Sequence, residues 1–267
     1  VANTSGGRLV GGKLGVTIAA SSATQSFRLL RASPSPHVET RTEGNTVALV
    51  KILQLNPEQV FESRIDIEFA ASGATFQLDQ AVQASGPSDE YCRRGRFWET
   101  NDPLIKRTAE RIRASSGDIS EFVTKTFGWV RDNVKLRDPQ PTRLGAARAI
   151  RELAGDCDEL SDLFIALCRA EGVPSRRVVG LFYHGHEDER TPFEWHAWAE
   201  IQTVNETWVP FDPSLGFFAS ISERHIARCC MGRRSDYPLR RLTWRSRPVK
   251  SPVLNDDDVE AITVLPD

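Results

Sequence analysis

The spacing of apolar residues changes along the chain and divides it into regions. Short runs in which apolar and polar residues alternate, such as 46–52 and 65–69, occur before about residue 85. Alternation of this kind predicts β-strands, because successive strand side chains point to opposite faces. The segment 84–89 is then rich in turn-forming residues. We therefore predict a β-domain over 1–88 and a second domain over 89–267.

The second region begins with helical spacing and ends with alternation. Apolar residues recur every three or four positions in four predicted helices: 104–112, 119–134, 144–153 and 160–168. Three later segments alternate and predict strands: 177–182, 196–201 and 208–212. Because the helices precede the strands instead of alternating with them, the pattern predicts an α+β fold.

Composition and charge narrow the functional classes. The chain has 267 residues, of which 40% are apolar and 26% charged, and its formal net charge is -2. This balance argues against nucleic acid or an anionic membrane as the main partner. No apolar run approaches the roughly 20 residues of a membrane-spanning helix. We expect a soluble, cytoplasmic protein with no membrane partner. The chain opens with Val1, which is also compatible with removal of an upstream leader. The sequence leaves the oligomeric state open.

Five cysteines, an odd number without even spacing, do not predict a disulfide framework. Cys168 falls on the apolar side of its predicted helix and is expected in the core. Cys229 and Cys230 could bind a metal with His225, but no second cysteine pair has zinc-like spacing. We therefore favour a structural role for all three of these cysteines.

Cys157 is placed differently, at the predicted start of a helix. The free N–H groups and dipole of a helix N-terminus favour a thiolate, which is the reactive form of cysteine. The acidic neighbours Asp156, Asp158 and Glu159 should raise the thiol pKa and oppose this effect. A histidine base is therefore required, and an active thiol should titrate below the roughly 8.5 of a free cysteine.

His196 and Asp212 provide a candidate base and the group that orients it. His196 opens one predicted strand, and Asp212 ends the next. A hairpin loop centred near Val204 and Asn205 would place the two residues almost directly opposite, with Cβ atoms roughly 4.5–5.5 Å apart. The carboxylate could then accept from one imidazole nitrogen while the other nitrogen faces the thiol.

Four ordered motifs resemble the transglutaminase-like superfamily of papain-like folds. They are Gly155-Asp156-Cys157-Asp158-Glu159, Cys168-Arg169-Ala170-Glu171-Gly172-Val173-Pro174, His196-Ala197-Trp198-Ala199-Glu200 and Trp208-Val209-Pro210-Phe211-Asp212-Pro213. The chain resembles in particular the bacterial members that carry an N-terminal β-domain. The resemblance implies a papain-like transglutaminase core, with helices packed on an antiparallel sheet, preceded by a small β-sandwich-like domain. It also implies Cys157 as nucleophile, His196 as general base and Asp212 as the orienting group, with no metal or cofactor.

The oxyanion of an acyl-transfer intermediate needs hydrogen-bond donors. The backbone N–H of Cys157 is one predicted donor. Members of the family often place an aromatic donor before the cysteine, but residues 131–145 contain no Trp or Tyr. Gln140 is the predicted substitute, since its amide can donate. Gly155, Asp156 and Trp195 are predicted to line the substrate cleft.

These residues together predict a cysteine-dependent peptidase or amidase that acts on an amide or isopeptide of a peptide or protein through a thioester acyl-enzyme. The same acyl-enzyme could pass its acyl group to an amine, so transamidation is an alternative. A binding scaffold that retains the fold without catalysis is the hypothesis from another class.

Overall fold

The computed structural model of the chain describes residues 1–4, 6–78, 82–85, 89–185, 192–233 and 239–243. These residues form two compact units. The first contains 1–21 and 26–70 together with the strand Arg240–Thr243, and the second contains 22–25 and the described residues from 71 to 233. The predicted division at residue 88 stays a prediction. The compact units differ from it at 22–25, at 71–85 and at Arg240–Thr243, while 86–88 lie outside the described residues.

The first unit consists of strands and one short 3₁₀ helix, Thr42–Gly44. The strands are β1 (Leu9–Ala20), β2 (Gln25–Ser33), β3 (His37–Thr40), β4 (Asn45–Leu55), β5 (Arg64–Ala71) and β14 (Arg240–Thr243). One sheet has the order β14-β1-β4-β3, and β2 pairs with β5. Apolar residues of β1 and β4 bury one face of the larger sheet, including Leu14, Val50 and Ile52. Period-two alternation in the sequence produces this buried face.

The helices of the second unit are α1 (Pro103–Ala114), α2 (Ile119–Asn133), α3 (Ala146–Glu152) and α4 (Cys157–Ala170). Aspartate side chains cap the N-termini of α1 and α2, as Asp156 does for α4. Asp102 accepts from the Leu104 N–H at 2.9 Å, with Pro103 in the first turn. Asp118 accepts from the Glu121 N–H at 2.7 Å. Such caps pair N–H groups that have no partner inside the helix.

The strands of the second unit are β6 (Ala74–Thr75), β7 (Lys135–Leu136), β8 (Ala154–Gly155), β9 (Ser175–Tyr183), β10 (Phe193–Gln202), β11 (Trp208–Phe211), β12 (Ser220–Ile221) and β13 (His225–Met231). An antiparallel sheet has the order β11-β10-β9-β13. Helix α4 packs against β9 and β10 and is contacted by the other three helices. The predicted α+β fold, helices on an antiparallel sheet, is confirmed.

Small residues allow the central strands and α4 to approach closely. Ala197 and Ala199 of β10 are fully buried, and the Ser161 hydroxyl of α4 donates to the Ala197 carbonyl at 3.1 Å. A Cβ atom added to Gly180 of β9 would lie 2.0 Å from the Ile226 carbonyl oxygen. No helix among the described residues is long and apolar enough to cross a membrane.

Candidate active site

Two side chains from neighbouring strands form a buried hydrogen bond at one end of the sheet of the second unit. His196 lies in β10, and Asp212 directly follows β11. The His196 Nε2 and Asp212 Oδ2 atoms are 2.6 Å apart, and the side chains are 9% and 2% exposed. A carboxylate only accepts, so Nε2 carries the proton. In the neutral imidazole, Nδ1 is then left with a lone pair that can accept a proton.

The strand register differs from the predicted one. Ala199 lies opposite Phe211, so in this register Asp212 falls opposite Trp198, two residues before the position directly opposite His196. The hairpin loop closes where the Thr203 N–H donates to the Thr207 carbonyl, and Glu206 in this loop adopts a φ of 60°. The side chains of His196 and Asp212 meet diagonally, which is within reach of long side chains on paired strands.

A tight turn fixes the other side of the Asp212 carboxylate. Oδ1 accepts from the Ser214 hydroxyl at 2.6 Å and from the backbone N–H groups of Ser214 and Leu215 at 3.0 Å each. Burial by itself raises the pKa of Asp212, but hydrogen bonds from His196, His225 and Ser214 outweigh it and hold that pKa well below its ordinary value. Asp212 is therefore an ionised carboxylate that is saturated with donors.

His225 is a site residue that the sequence did not predict. It opens β13, is buried, and its Nε2 lies 3.2 Å from Asp212 Oδ2. The sequence connected His225 only with Cys229 and Cys230. Strand β13 pairs with β9 and not with a sequence neighbour, so no short-range pattern places His225 beside Asp212. The available signal was local only: His225 is the first residue of a strand and lies four residues after the end of β12.

Cys157 begins α4, as predicted, and its residue is half-buried. Burial raises the pKa of its thiol to about 12, and Asp158 and Asp156 act in the same direction. A backbone hydrogen bond from Ala197 and the charge of Arg177 oppose them. The expected titration of this thiol below 8.5 stays a prediction, and burial and the acidic neighbours oppose it in this arrangement.

The thiol lies beside the strand that carries the predicted base, since Ala197 follows His196 directly. Among the described residues, no hydrogen bond joins the Cys157 thiol to the His196 ring. The structure thus brings His196 and Asp212 into direct contact, and it brings Cys157 to the adjoining backbone. The backbone N–H of Cys157 likewise has no acceptor in the described part of the chain, which leaves it available to an oxyanion.

Acidic residues three positions apart bind α4 to the loop before α3. Asp156 accepts from the Gln140 N–H at 2.8 Å, and Glu159 accepts from the Leu144 N–H at 2.7 Å. Asp162 accepts from Arg143 Nε at 2.7 Å and from Trp98 Nε1 at 2.9 Å. Residues 156, 159 and 162 share one helix face. The sequence suggested an electrostatic effect for the first two and a place in the cleft for Asp156, and the spacing of the three residues could have indicated this structural role.

Two of the three predicted cleft residues are buried within the helix cap. Asp156 is 6% exposed, and its carboxylate accepts from the Asp158 N–H at 2.8 Å. A Cβ atom on Gly155 would lie 2.3 Å from the Glu159 Cβ, so Gly155 makes room for Glu159. Trp195 is 46% exposed, two residues before Ala197 on the same strand face. Trp195 is the predicted cleft residue that a substrate could reach in this arrangement.

The structure does not bring the Gln140 amide to the thiol. Its Nε2 donates to the Asp138 carbonyl at 2.9 Å in an exposed loop. Only the backbone of Gln140 is attached to the helix N-terminus, through Asp156. Its role as an oxyanion donor stays a prediction.

Two clusters have the composition of metal sites. The donor atoms of His196, Asp212 and His225 lie within 4.8 Å of one another, as do those of Asp156, Cys157 and Asp158. In the first cluster both Nε2 atoms donate protons to Asp212, so hydrogen bonds occupy the positions that a metal would need. In the second, Asp156 caps α4 and Asp158 pairs with Arg177. The absence of a metal and a cofactor stays a prediction.

Comparison with known proteins shows what part of this chain is similar to. Residues 106–213 match the core model of the transglutaminase-like superfamily. A candidate cysteine protease of Cytophaga hutchinsonii superposes with a TM-score of 0.59 at 16% identity, covering 94% of this chain and 91% of that one. No curated protein matches the sequence.

Two further solved structures are less similar. The periplasmic domain of TgpA from Pseudomonas aeruginosa gives a TM-score of 0.41 at 12% identity, covering 80% of this chain and 85% of that chain. Red sea bream transglutaminase gives 0.35 at 11% identity, covering 76% and 45%. The family model and the shared fold identify residues 106–213 as a transglutaminase-like core, with the papain-like fold of that superfamily.

Proposed function

We propose that this protein is a cysteine-dependent amide or isopeptide hydrolase in which Cys157 is the nucleophile, His196 the general base and Asp212 the orienting carboxylate. The observation that carries the proposal is the 2.6 Å hydrogen bond from His196 Nε2 to Asp212. It leaves Nδ1 of a neutral His196 as the proton acceptor. The half-buried thiol lies at the start of α4, beside the backbone that follows this imidazole.

The raised pKa of Cys157 determines how the nucleophile forms. A thiol with a pKa of about 12 is neutral before reaction, so its proton must leave as the sulfur attacks. His196 accepts that proton while the C–S bond forms, and the Cys157 N–H donates to the oxyanion. The imidazolium then protonates the departing amine, which leaves a thioester. Water attacks the thioester with His196 again as base, and the thiol is released.

Alkylation by iodoacetamide tests the pairing of Cys157 with His196. We expect the Cys157 reaction to slow at least roughly tenfold in His196→Ala, in line with the 10²–10⁴-fold effects of general bases in catalysis. Labelling is measured peptide by peptide with mass spectrometry. Cys92 is an internal reference, because burial also raises the pKa of its thiol to about 12. If Cys157 reacts no faster than Cys92 and is indifferent to His196→Ala, the scaffold hypothesis replaces the enzyme.

The acceptor is tested separately, because one acyl-enzyme serves both water and amines. A peptide mixture containing glutamine and lysine is incubated with the protein, with and without a primary amine such as cadaverine. New carboxyl groups indicate hydrolysis, and amine adducts indicate transamidation. Adducts without any free acid would overturn the hydrolase version. Cys157→Ala is the control and should form neither product.

A further inference from the structure

His225 is buried next to the candidate site and is surrounded by aromatic side chains. Its side chain is 1% exposed. The rings of Phe182, Phe217 and Trp198 contact it edge-on, with centroids 4.9, 5.1 and 5.2 Å away. Buried polar groups are retained in folded proteins when they are hydrogen-bonded. The partners of its two nitrogens therefore indicate what His225 does.

Both nitrogens have partners, and one of these partners fixes the position of the proton. The Ser222 backbone N–H donates to His225 Nδ1 at 3.4 Å, and the Ser222 hydroxyl lies 2.9 Å from the same atom. A backbone N–H can only donate, so Nδ1 is an acceptor and carries no proton. The proton is then on Nε2, which is the nitrogen 3.2 Å from Asp212 Oδ2.

We propose that His225 is a positioning residue that donates from Nε2 to Asp212 and holds Oδ2 in place for His196. This inference rests on the proposed function. The turn at Ser214 and Leu215 holds Oδ1, while His225 holds Oδ2 from a different strand. With both oxygens held, the carboxylate cannot rotate, and His196 keeps the orientation that leaves Nδ1 for the thiol. His225 acts through Asp212 and makes no contact with the thiol in the described structure.

Three substitutions separate donation from packing. His225→Gln can place an amide N–H near the position of Nε2, whereas the shorter His225→Asn does not reach and His225→Phe fills the space without a donor. We expect Cys157 alkylation to slow roughly tenfold in the Phe and Asn variants, since small misplacements of reacting groups cost up to 10²-fold. The Gln variant should recover to within about threefold of wild type. Thermal melts monitor folding of each variant.

Two patterns would overturn the proposal. Equal alkylation rates in all four proteins would mean that Asp212 needs no second partner. A Gln variant as slow as the Phe variant would mean that the ring matters through packing alone. If a variant fails to fold, the proton position in the wild-type protein still decides the question.

That position is measured by ¹⁵N NMR of histidine-labelled wild-type protein at pH 7.5. We expect the His225 ring to carry its proton on Nε2, with Nδ1 shifted as an acceptor. A proton found on Nδ1 would overturn the proposal whatever Cys157 does. Conversely, a failure of the proposed function appears only as His196→Ala leaving alkylation unchanged, so the two failures are distinguishable.

Discussion

The two halves of the candidate site are built in opposite ways. Around Asp212, donors from β10, β13 and the turn after β11 converge on one carboxylate, and hydrogen bonds hold its pKa below the ordinary value. Around Cys157, burial and two carboxylates hold the thiol pKa above its ordinary value. In the proposed mechanism, His196 is therefore oriented in advance, while Cys157 stays neutral until His196 accepts its proton. The contrast supports the proposal that the thiol is activated by its base and not by its helix.

The largest expected effect comes from removing the charge of Asp212, because this carboxylate orients His196 in the proposed mechanism. Asp212→Asn replaces one acceptor oxygen by an amide that cannot accept from the donors gathered there. We expect Cys157 alkylation, and any turnover, to fall by roughly 10³–10⁴-fold, as for loss of the orienting carboxylate in other triads. The matched control is Asp132→Asn, which changes an exposed aspartate of α2. A loss below tenfold would mean that His196 is oriented without Asp212.

Enlarging Gly155, which is crowded against Glu159 at the start of α4, should lower the free energy of unfolding. In Gly155→Ala the new methyl group would lie 2.3 Å from the Glu159 Cβ, so the first turn of α4 must shift. We expect a loss of about 1–3 kcal/mol in the free energy of unfolding. The control is Gly128→Ala, because a Cβ at this position in α2 meets nothing within 4 Å and should gain up to about 1 kcal/mol. Denaturant titration compares them, and equal effects would contradict the crowding.

Much of this arrangement could be predicted from sequence because it is local. The cap and length of α4 follow from Asp156 and the apolar spacing after it, and β10 and β11 follow from alternation. The base and its carboxylate belong to one hairpin, so their pairing needed only a loop estimate. His225 and strand Arg240–Thr243 could not be placed, since each pairs with a strand distant in sequence. The loop estimate was inexact, since the observed register puts Asp212 two positions from the residue opposite His196.

Changing the charges beside the Cys157 thiol should have a smaller effect on its alkylation rate. Depending on which charge is removed, the rate should rise or fall. Asp158 raises the Cys157 pKa, and its ion-pair partner Arg177 lowers it. Asp158→Asn removes the first effect and keeps the second, so the thiol pKa should fall, although burial and Asp156 still raise it. Arg177→Gln should raise it. We expect alkylation at pH 8 to become roughly three- to tenfold faster in the first variant and similarly slower in the second.

These two variants are best compared in a His196→Ala background, where the thiol reacts only as its own thiolate. A group whose pKa is about 12 is neutral at pH 7 and ionises as the pH rises. The alkylation rate should therefore climb by about tenfold per pH unit between pH 7 and 10. A plateau near neutral pH would mean that the thiolate is already formed and that the acidic surroundings are overcome.

The smallest effect is expected for substitution of Gln140. This substitution tests whether the Gln140 side chain is an oxyanion donor for the reaction at Cys157. Its backbone N–H holds Asp156, whereas its side-chain amide donates to Asp138 in an exposed loop. Gln140→Ala keeps the first bond and removes the second, so alkylation and peptide turnover should change by less than about twofold. Loss of an oxyanion donor would instead lower turnover roughly 10²–10³-fold with little effect on alkylation, which forms no oxyanion. Such a loss would show that the amide turns toward the substrate, and Gln140→Glu, which retains the size of the side chain, would then be equally impaired.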